Sequence, residues 1–283
     1  MCAAWATSVS MLVWLLFLAC HTPPREVPVG EVVLGWRLAP GMELAYRLRS
    51  THSLGTDTVV REELWHYLVR RVDDQGTFTL EGHLERLDAS ILADGVPMED
   101  EVLEAALEQE RARLGLSPIT LSLSLDGRID HLETTGWSDA LPHRLLALRL
   151  PGEPVLPGSR WNDTETARPF TRLVPSGLEL DIAGTHRLEQ LLWQPASRLG
   201  LRPSRARLVA ELDTEAMVRP EDARVPTLDI HGAARWDLEG GRLATRSLSI
   251  GERGGTDPEL TGSLQLELEW VEPSRAHHQG SHP

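Results

Sequence analysis

Leu260-Thr-Gly-Ser-Leu-Gln-Leu-Glu-Leu-Glu-Trp270 is the stretch whose pattern decides the fold. Gly262, Leu264, Leu266 and Leu268 fall on one side of an extended chain, and Thr261, Ser263, Gln265, Glu267 and Glu269 on the other. Successive side chains of a strand point to opposite faces. Alternation of period two therefore marks a strand with one buried and one solvated face, as in antiparallel sheet.

The same period recurs along the chain. Leu44, Tyr46 and Leu48 alternate with Ala45, Arg47 and Arg49. Trp65, Tyr67 and Val69 share a face opposite His66 and Leu68, and Phe78, Leu80, Gly82 and Leu84 alternate with Thr79, Glu81, His83 and Glu85. Leu121, Leu123 and Leu125 follow, then Leu178, Leu180 and Ile182, then Ala234, Trp236 and Leu238. Turn signals separate these runs at Asp73-Asp74-Gln75-Gly76, Asp126-Gly127 and Glu239-Gly240-Gly241. Asp-Gly is favoured in tight hairpins whose two central residues both need positive φ. Two stretches break the β pattern. Pro97–Gly115 predicts a helix, with Glu99, Asp100 and Glu101 at its start, Arg111 and Arg113 at its end, and Gly115 as a stop. Residues 137–150 predict a second, shorter helix, limited by Pro142 to a start near that residue. The expected fold is mainly β, of antiparallel sheets arranged as a half-barrel or sandwich, with two short helices near 97–115 and 137–150.

Two landmarks recur in order. Leu38-Ala39-Pro40-Gly41 precedes Leu44, and Val155-Leu156-Pro157-Gly158 precedes Trp161; Asp126-Gly127-Arg128 is then matched by Gly240-Gly241-Arg242. Gly41 to Gly127 spans 86 positions and Gly158 to Gly241 spans 83. This spacing suggests two similar halves, residues 32–150 with the helices and residues 151–272, against the alternative that Pro-Gly and Asp-Gly turns recur by chance. Pro154-Val-Leu-Pro-Gly-Ser-Arg-Trp161, with Gly241-Arg242 near the end, resembles a Pro-Val-x-x-Gly-x-x-Trp signature of bacterial exported and lipoprotein families classed as domains of unknown function. The resemblance implies a two-part β fold in the outer envelope and brings no active site with it.

The N-terminus points to export. From Met1 to His21 there is no charged side chain, and Met11–Ala19 is apolar. That run suits a signal peptide and is short of the about 20 residues a spanning helix needs. Phe17-Leu18-Ala19-Cys20 resembles the lipobox of a bacterial lipoprotein. Residues 1–19 would then be removed by cleavage between Ala19 and Cys20, and Cys20 would carry the lipid. A cleaved secreted protein and an uncleaved membrane anchor are the alternatives. His21, where an Asp would favour inner-membrane retention in that family, implies the outer membrane, facing the periplasm or the cell surface. Pro23, Pro24 and Pro28 make residues 20–31 an extended tether. Residues 273–283 read as a disordered tail.

Composition narrows the function classes. The chain has 283 residues and a formal charge of −14, which argues against nucleic acid as a partner. Its cysteines are Cys2 and Cys20 alone, so cleavage would leave no disulfide and no cysteine nucleophile. There is no Gly-x-Ser-x-Gly elbow and no His-Glu-x-x-His pair. His66 and His83 lie on neighbouring β runs, and His277, His278 and His282 in the tail; each set reads as solvated rather than metal-binding. No catalytic residue, metal or cofactor is expected. The leading expectation is a non-enzymatic envelope lipoprotein, held to the membrane by its lipid and acting on a protein partner as an interaction or structural module. The alternative is a carrier holding a lipid or other hydrophobic ligand inside the half-barrel, with Tyr46, Trp65, Phe78 and Leu121 as candidate ligand contacts. An enzyme is third.

Overall fold

The computed structural model describes residues 25–26, 30–115, 118–133, 143–167, 180–194, 207–218, 227–253 and 262–273. The expected signal, Cys20, most of the tether and the tail after residue 273 lie outside them. Among the described residues no helix is long and apolar enough to cross a membrane.

The strands are β1 (Arg25–Glu26), β2 (Glu43–Leu54), β3 (Asp57–Val72), β4 (Phe78–Ala93), β5 (Val96–Pro97), β6 (Ile119–Leu123), β7 (Ile129–Glu133), β8 (Arg160–Ala167), β9 (Leu180–Gln194), β10 (Arg207–Val218), β11 (Thr227–Asp237), β12 (Arg242–Arg253) and β13 (Gly262–Val271). They form one antiparallel sheet in the order β1-β9-β10-β11-β12-β13-β2-β3-β4-β6-β7, with β5 on β4 and β8 on β9. The mainly antiparallel, half-barrel reading of the sequence stands. The seam of the sheet is β13. β13 alternates buried and exposed as its leucines require, and pairs β2 from Gly262↔Leu54 to Val271↔Ala45, joining the second half to the first.

Five strands of one half match five of the other in pairing order, with β1, β5 and β13 left without a counterpart. β2, β3, β4, β6 and β7 correspond to β8, β9, β10, β11 and β12. In the first, the Gly41 N–H donates to Val69 O at 2.8 Å and the Val69 N–H to Met42 O at 2.9 Å. In the second, Gly158 donates to Leu188 O at 2.6 Å and Leu188 to Ser159 O at 3.0 Å. A bulge follows at the same step: the register skips Arg70 on β3 and Glu189 on β9. A further bulge lies just after each closing hairpin, beside Leu123 and Trp236. Bulges re-aim a strand at a fixed point, so their coincidence fixes which residues correspond.

Two arms, residues 30–39 and 143–156, lie within the same core as the strands. Val32 and Val155 pair as an antiparallel bridge. Leu34, Trp36 and Leu38 from one arm, and Leu145, Leu146, Leu148, Leu150 and Val155 from the other, join the buried faces of both halves in one hydrophobic cluster. The arms cross: Arg37 N–H donates to Gly241 O at 2.9 Å in the second half, and Leu150 N–H to Asp126 O at 2.8 Å in the first. Trp36 and Trp236 meet edge to face at 4.9 Å. Residues 32–150 and 151–272 are thus halves of one core rather than separately packed units.

Three expectations need correction. One helix, α1 (Asp100–Gly115), is present among the described residues, packing Leu103, Leu107 and Leu114 against Leu84, Leu87 and Ala89 of β4. The second predicted helix, 137–150, is not: residues 134–142 lie outside the described set, and 143–150 make one short turn and then run extended. Its leucines are buried too fully for a helix with one solvated face. Three of its carbonyls are satisfied by side chains instead, with Arg246 Nη1 donating to Leu145 O at 2.9 Å and Ala147 O at 2.8 Å, and Trp161 Nε1 to Arg149 O at 2.9 Å. The Asp126-Gly127 hairpin has positive φ at Gly127 alone (83°). Ser124 N–H donates to Arg128 O and Gly127 N–H to Ser124 O, which makes it a longer loop ending in a left-handed glycine. A Cβ on Gly127 would sit 1.9 Å from Leu148 O, so glycine is required there by the arm as well as by φ. Within the expected tether, Arg25 and Glu26 pair with Trp193 and Leu192 of β9.

Candidate functional site

The correspondence between halves locates the site. In the first half Tyr46 on β2 faces Trp65 on β3, which faces Leu84 on β4; one step along, Tyr67 faces Gly82. Trp65 is 2% exposed and Tyr67 1%. Their rings lie 6.5 Å apart, and His143 from the arm closes over both, at 4.7 Å from Trp65 and 5.7 Å from Tyr67. The Tyr67 hydroxyl and His143 Nδ1 are hydrogen-bonded at 2.8 Å, Trp65 Nε1 donates to Glu63 at 2.5 Å, and the Tyr46 hydroxyl donates to Leu243 O at 3.0 Å. Burial pushes both phenols well above their ordinary pKa, so they stay neutral donors.

In the second half the corresponding residues are Asp163 on β8, Gly184 and His186 on β9, and Ala216 and Thr214 on β10, paired as Asp163↔Gly184, Gly184↔Ala216 and His186↔Thr214. Tyr46 is thus replaced by Asp163, Trp65 by Gly184, Leu84 by Ala216, and the Tyr67–Gly82 pair by His186–Thr214. The missing side chains leave a cavity of about 320 Å³. Ala216, Ile230, Leu248 and Leu266 give it an apolar floor; Leu145 and Ala147 from the arm and Ile129–Leu132 of β7 line it as well. A Cβ on Gly184 would make only ordinary contact, 3.5 Å from the Ala216 methyl, so the space beyond it is open.

One wall of the cavity is polar. His186 is 4% exposed and Thr214 5%. His186 Nδ1 lies 3.0 Å from Thr214 Oγ1, and the Trp161 ring lies 5.7 Å from the imidazole. His186 Nε2 is buried without a hydrogen-bond partner, and Asp163 Oδ2 stands 3.9 Å from it, beyond hydrogen-bond range. The Arg246 guanidinium, bound to Leu145 O and Ala147 O, and Arg144, Asp130 and His131 complete the lining.

The candidate contacts Tyr46, Trp65, Phe78 and Leu121 are all buried in the shared core, and none lines the cavity. They occupy the inner face named from the sequence, but in the half where arm and aromatic rings fill it. Asp163, Gly184, His186, Thr214 and Arg246 were not singled out by sequence reasoning. His66 and His83 do face each other across β3 and β4, and each binds a carboxylate, Glu85 and Glu81 respectively. Among the described residues no group of three or more His, Cys, Asp or Glu is placed to hold a metal.

No protein-family model and no curated protein matches the chain. Among solved structures it is similar to lipovitellin, from a structure concerned with its lipid–protein interactions, at 11% identity and a TM-score of 0.48, over 83% of this chain and 26% of that one. The chain thus spans about a quarter of the length of that lipovitellin chain. It is also similar to DynF of the dynemicin biosynthesis pathway of Micromonospora chersina, at 11% identity and a TM-score of 0.19, over 90% of this chain and 92% of that one.

Proposed function

We propose that this protein is a non-enzymatic carrier of the bacterial envelope that holds one small amphipathic molecule in the second half of its sheet. The observation that supports this is the replacement of Trp65 by Gly184 at corresponding positions, with a cavity where the ring would stand. A fold that kept five matching strands and the bulges at Arg70 and Glu189 in both halves yet emptied one of them has given up packing at that point. Its about 320 Å³ lie at the small end of the range of ligand sites. The apolar floor suits an alkyl or ring body, and the polar wall suits a head group. This favours the carrier over a module acting solely through its outer surface. In this reading the N-terminal run delivers the chain to the outer membrane, and an acyl chain on Cys20 holds it there.

Native mass spectrometry of the full chain incubated with 1-decanol or decanoate tests the reading. One molecule of at least one amphiphile should bind per chain, and both Gly184→Trp and Ala216→Leu, which restore the first half's filling, should abolish it. Absence of binding, or binding that survives both substitutions, would overturn it. The intact mass of the membrane-extracted protein tests the anchor: a mature chain beginning at acylated Cys20 is expected, and an intact Met1 start would exclude it.

A further inference from the structure

We infer that the polar wall is a subsite for a hydroxyl group, formed by Asp163 and His186 and held in register by Thr214, so that the preferred ligand is an alcohol rather than a carboxylic acid. This rests on the carrier reading and names the head group that the site would recognise.

A buried imidazole nitrogen without a partner is costly, and such positions in native proteins call for a specific explanation. His186 Nε2 is one, and it belongs to a residue lining the cavity. Its other nitrogen is occupied by the Thr214 hydroxyl at 3.0 Å. In the tautomer in which that hydroxyl donates to Nδ1, Nε2 carries the proton and is a donor without an acceptor. Asp163 Oδ2, an acceptor, stands 3.9 Å away, too far to take that proton directly. An oxygen placed about 2.8 Å from each atom would accept from Nε2 and donate to the carboxylate. A group that is both donor and acceptor at one atom does this, as the hydroxyl of an alcohol or a water molecule is and a carboxylate is not. A ligand carboxylate would meet the charge of Asp163 at the same point and has no proton to offer it. Of the two arginines lining the cavity, Arg144 and Arg246, the more deeply buried Arg246 gives its Nη1 to two arm carbonyls. The first half supports the assignment. There Tyr67, at the position of His186, also presents its polar end inward, and the arm supplies the partner from within the chain, His143 Nδ1 at 2.8 Å. In the second half that role passes to a ligand.

Isothermal titration of the full chain with 1-decanol and with decanoate tests this, alongside His186→Phe and Asp163→Ala. The wild type should bind 1-decanol more tightly than decanoate. Each substitution should weaken 1-decanol by about tenfold or more, the loss of a hydrogen bond to a charged or buried partner, with decanoate unchanged or tighter in Asp163→Ala. Circular dichroism and melting of both variants establish that they are folded. If one variant does not fold, His186→Gln, which keeps a donor, should retain part of the preference. Decanoate preferred by the wild type, or 1-decanol binding unaffected in folded variants, would overturn the hydroxyl subsite while leaving the carrier reading intact. If Gly184→Trp fails to block either probe, the carrier reading falls instead.

Discussion

At one crossing of strands the two halves of the sheet have opposite interiors. The first packs Tyr46 against Tyr67 and closes Trp65 and Tyr67 under His143; the second sets Asp163, Gly184 and His186 in the same places around open space. The two halves share the pairing order and the bulges at Arg70 and Glu189, while the first has a further bulge at Glu85 that the second lacks. Hydrogen-bonded sheet geometry therefore does not decide whether the inner face is solid. Side-chain volume at three positions does, together with whether an arm supplies a cap. The arms also account for the unity of the core: each half's closing hairpin is braced by the arm that leads into the other half.

The largest difference between the halves should appear on truncation. Trp65→Ala removes a fully packed ring and should cost about 3–5 kcal/mol, read by denaturant unfolding. Gly184→Ala, at the matching position, should be neutral or stabilise by up to about 1 kcal/mol, since it removes backbone freedom from the unfolded chain and meets no clash. Losses of similar size at both positions would break the comparison. Next in size, Gly127→Ala forces a side chain into the left-handed region, costing about 1–2 kcal/mol, and against Leu148 O as well. A loss above about 2 kcal/mol is expected, with loosening of the 143–156 arm visible as faster amide exchange at Leu150. Arg246→Met leaves the Leu145 and Ala147 carbonyls without this donor and should cost about 1–3 kcal/mol, the loss falling on the arm over the cavity and so on ligand retention.

The smallest effect lies at the bulge itself. Hydrogen bonds from Arg70, at 2.8 Å, hold the Glu81 carboxyl down at about 2. A depressed carboxylate stabilises the fold fully above its ordinary pKa and loses that contribution as pH falls toward the folded value. The pair should therefore weaken between about pH 4.5 and 2, by less than about 1 kcal/mol for so exposed a pair. Glu81→Gln should flatten that part of the acid unfolding curve. The bulge in the second half, Glu189, is paired with Arg187 instead and should show no counterpart tied to Glu81.

The strand pattern was legible because alternation along β2, β3, β4, β6, β11 and β13 follows directly from one buried face. The matching of halves was legible in the turns: counting on from Gly41 and Gly158 already sets Leu44 against Trp161 and Tyr46 against Asp163. It could not be carried into β9, because the connections between strands differ in length and only the bulge fixes which residue matches Val69. His186 and Gly184 therefore stayed hidden among other β positions. Leu145–Leu150 departs from its predicted helix for a related reason. A run of leucines buried on every side has no face to show, and only the sheet around it decides that it is extended.

The most direct test of the account is an experimental structure of the full chain with 1-decanol bound. The account predicts ligand density over Gly184, between β7 and β9, with its oxygen beside His186 Nε2 and Asp163, and solid packing at Trp65. Density lodged at Trp65 or on the outer face, or a second half closed by its own side chains at Gly184, would contradict it.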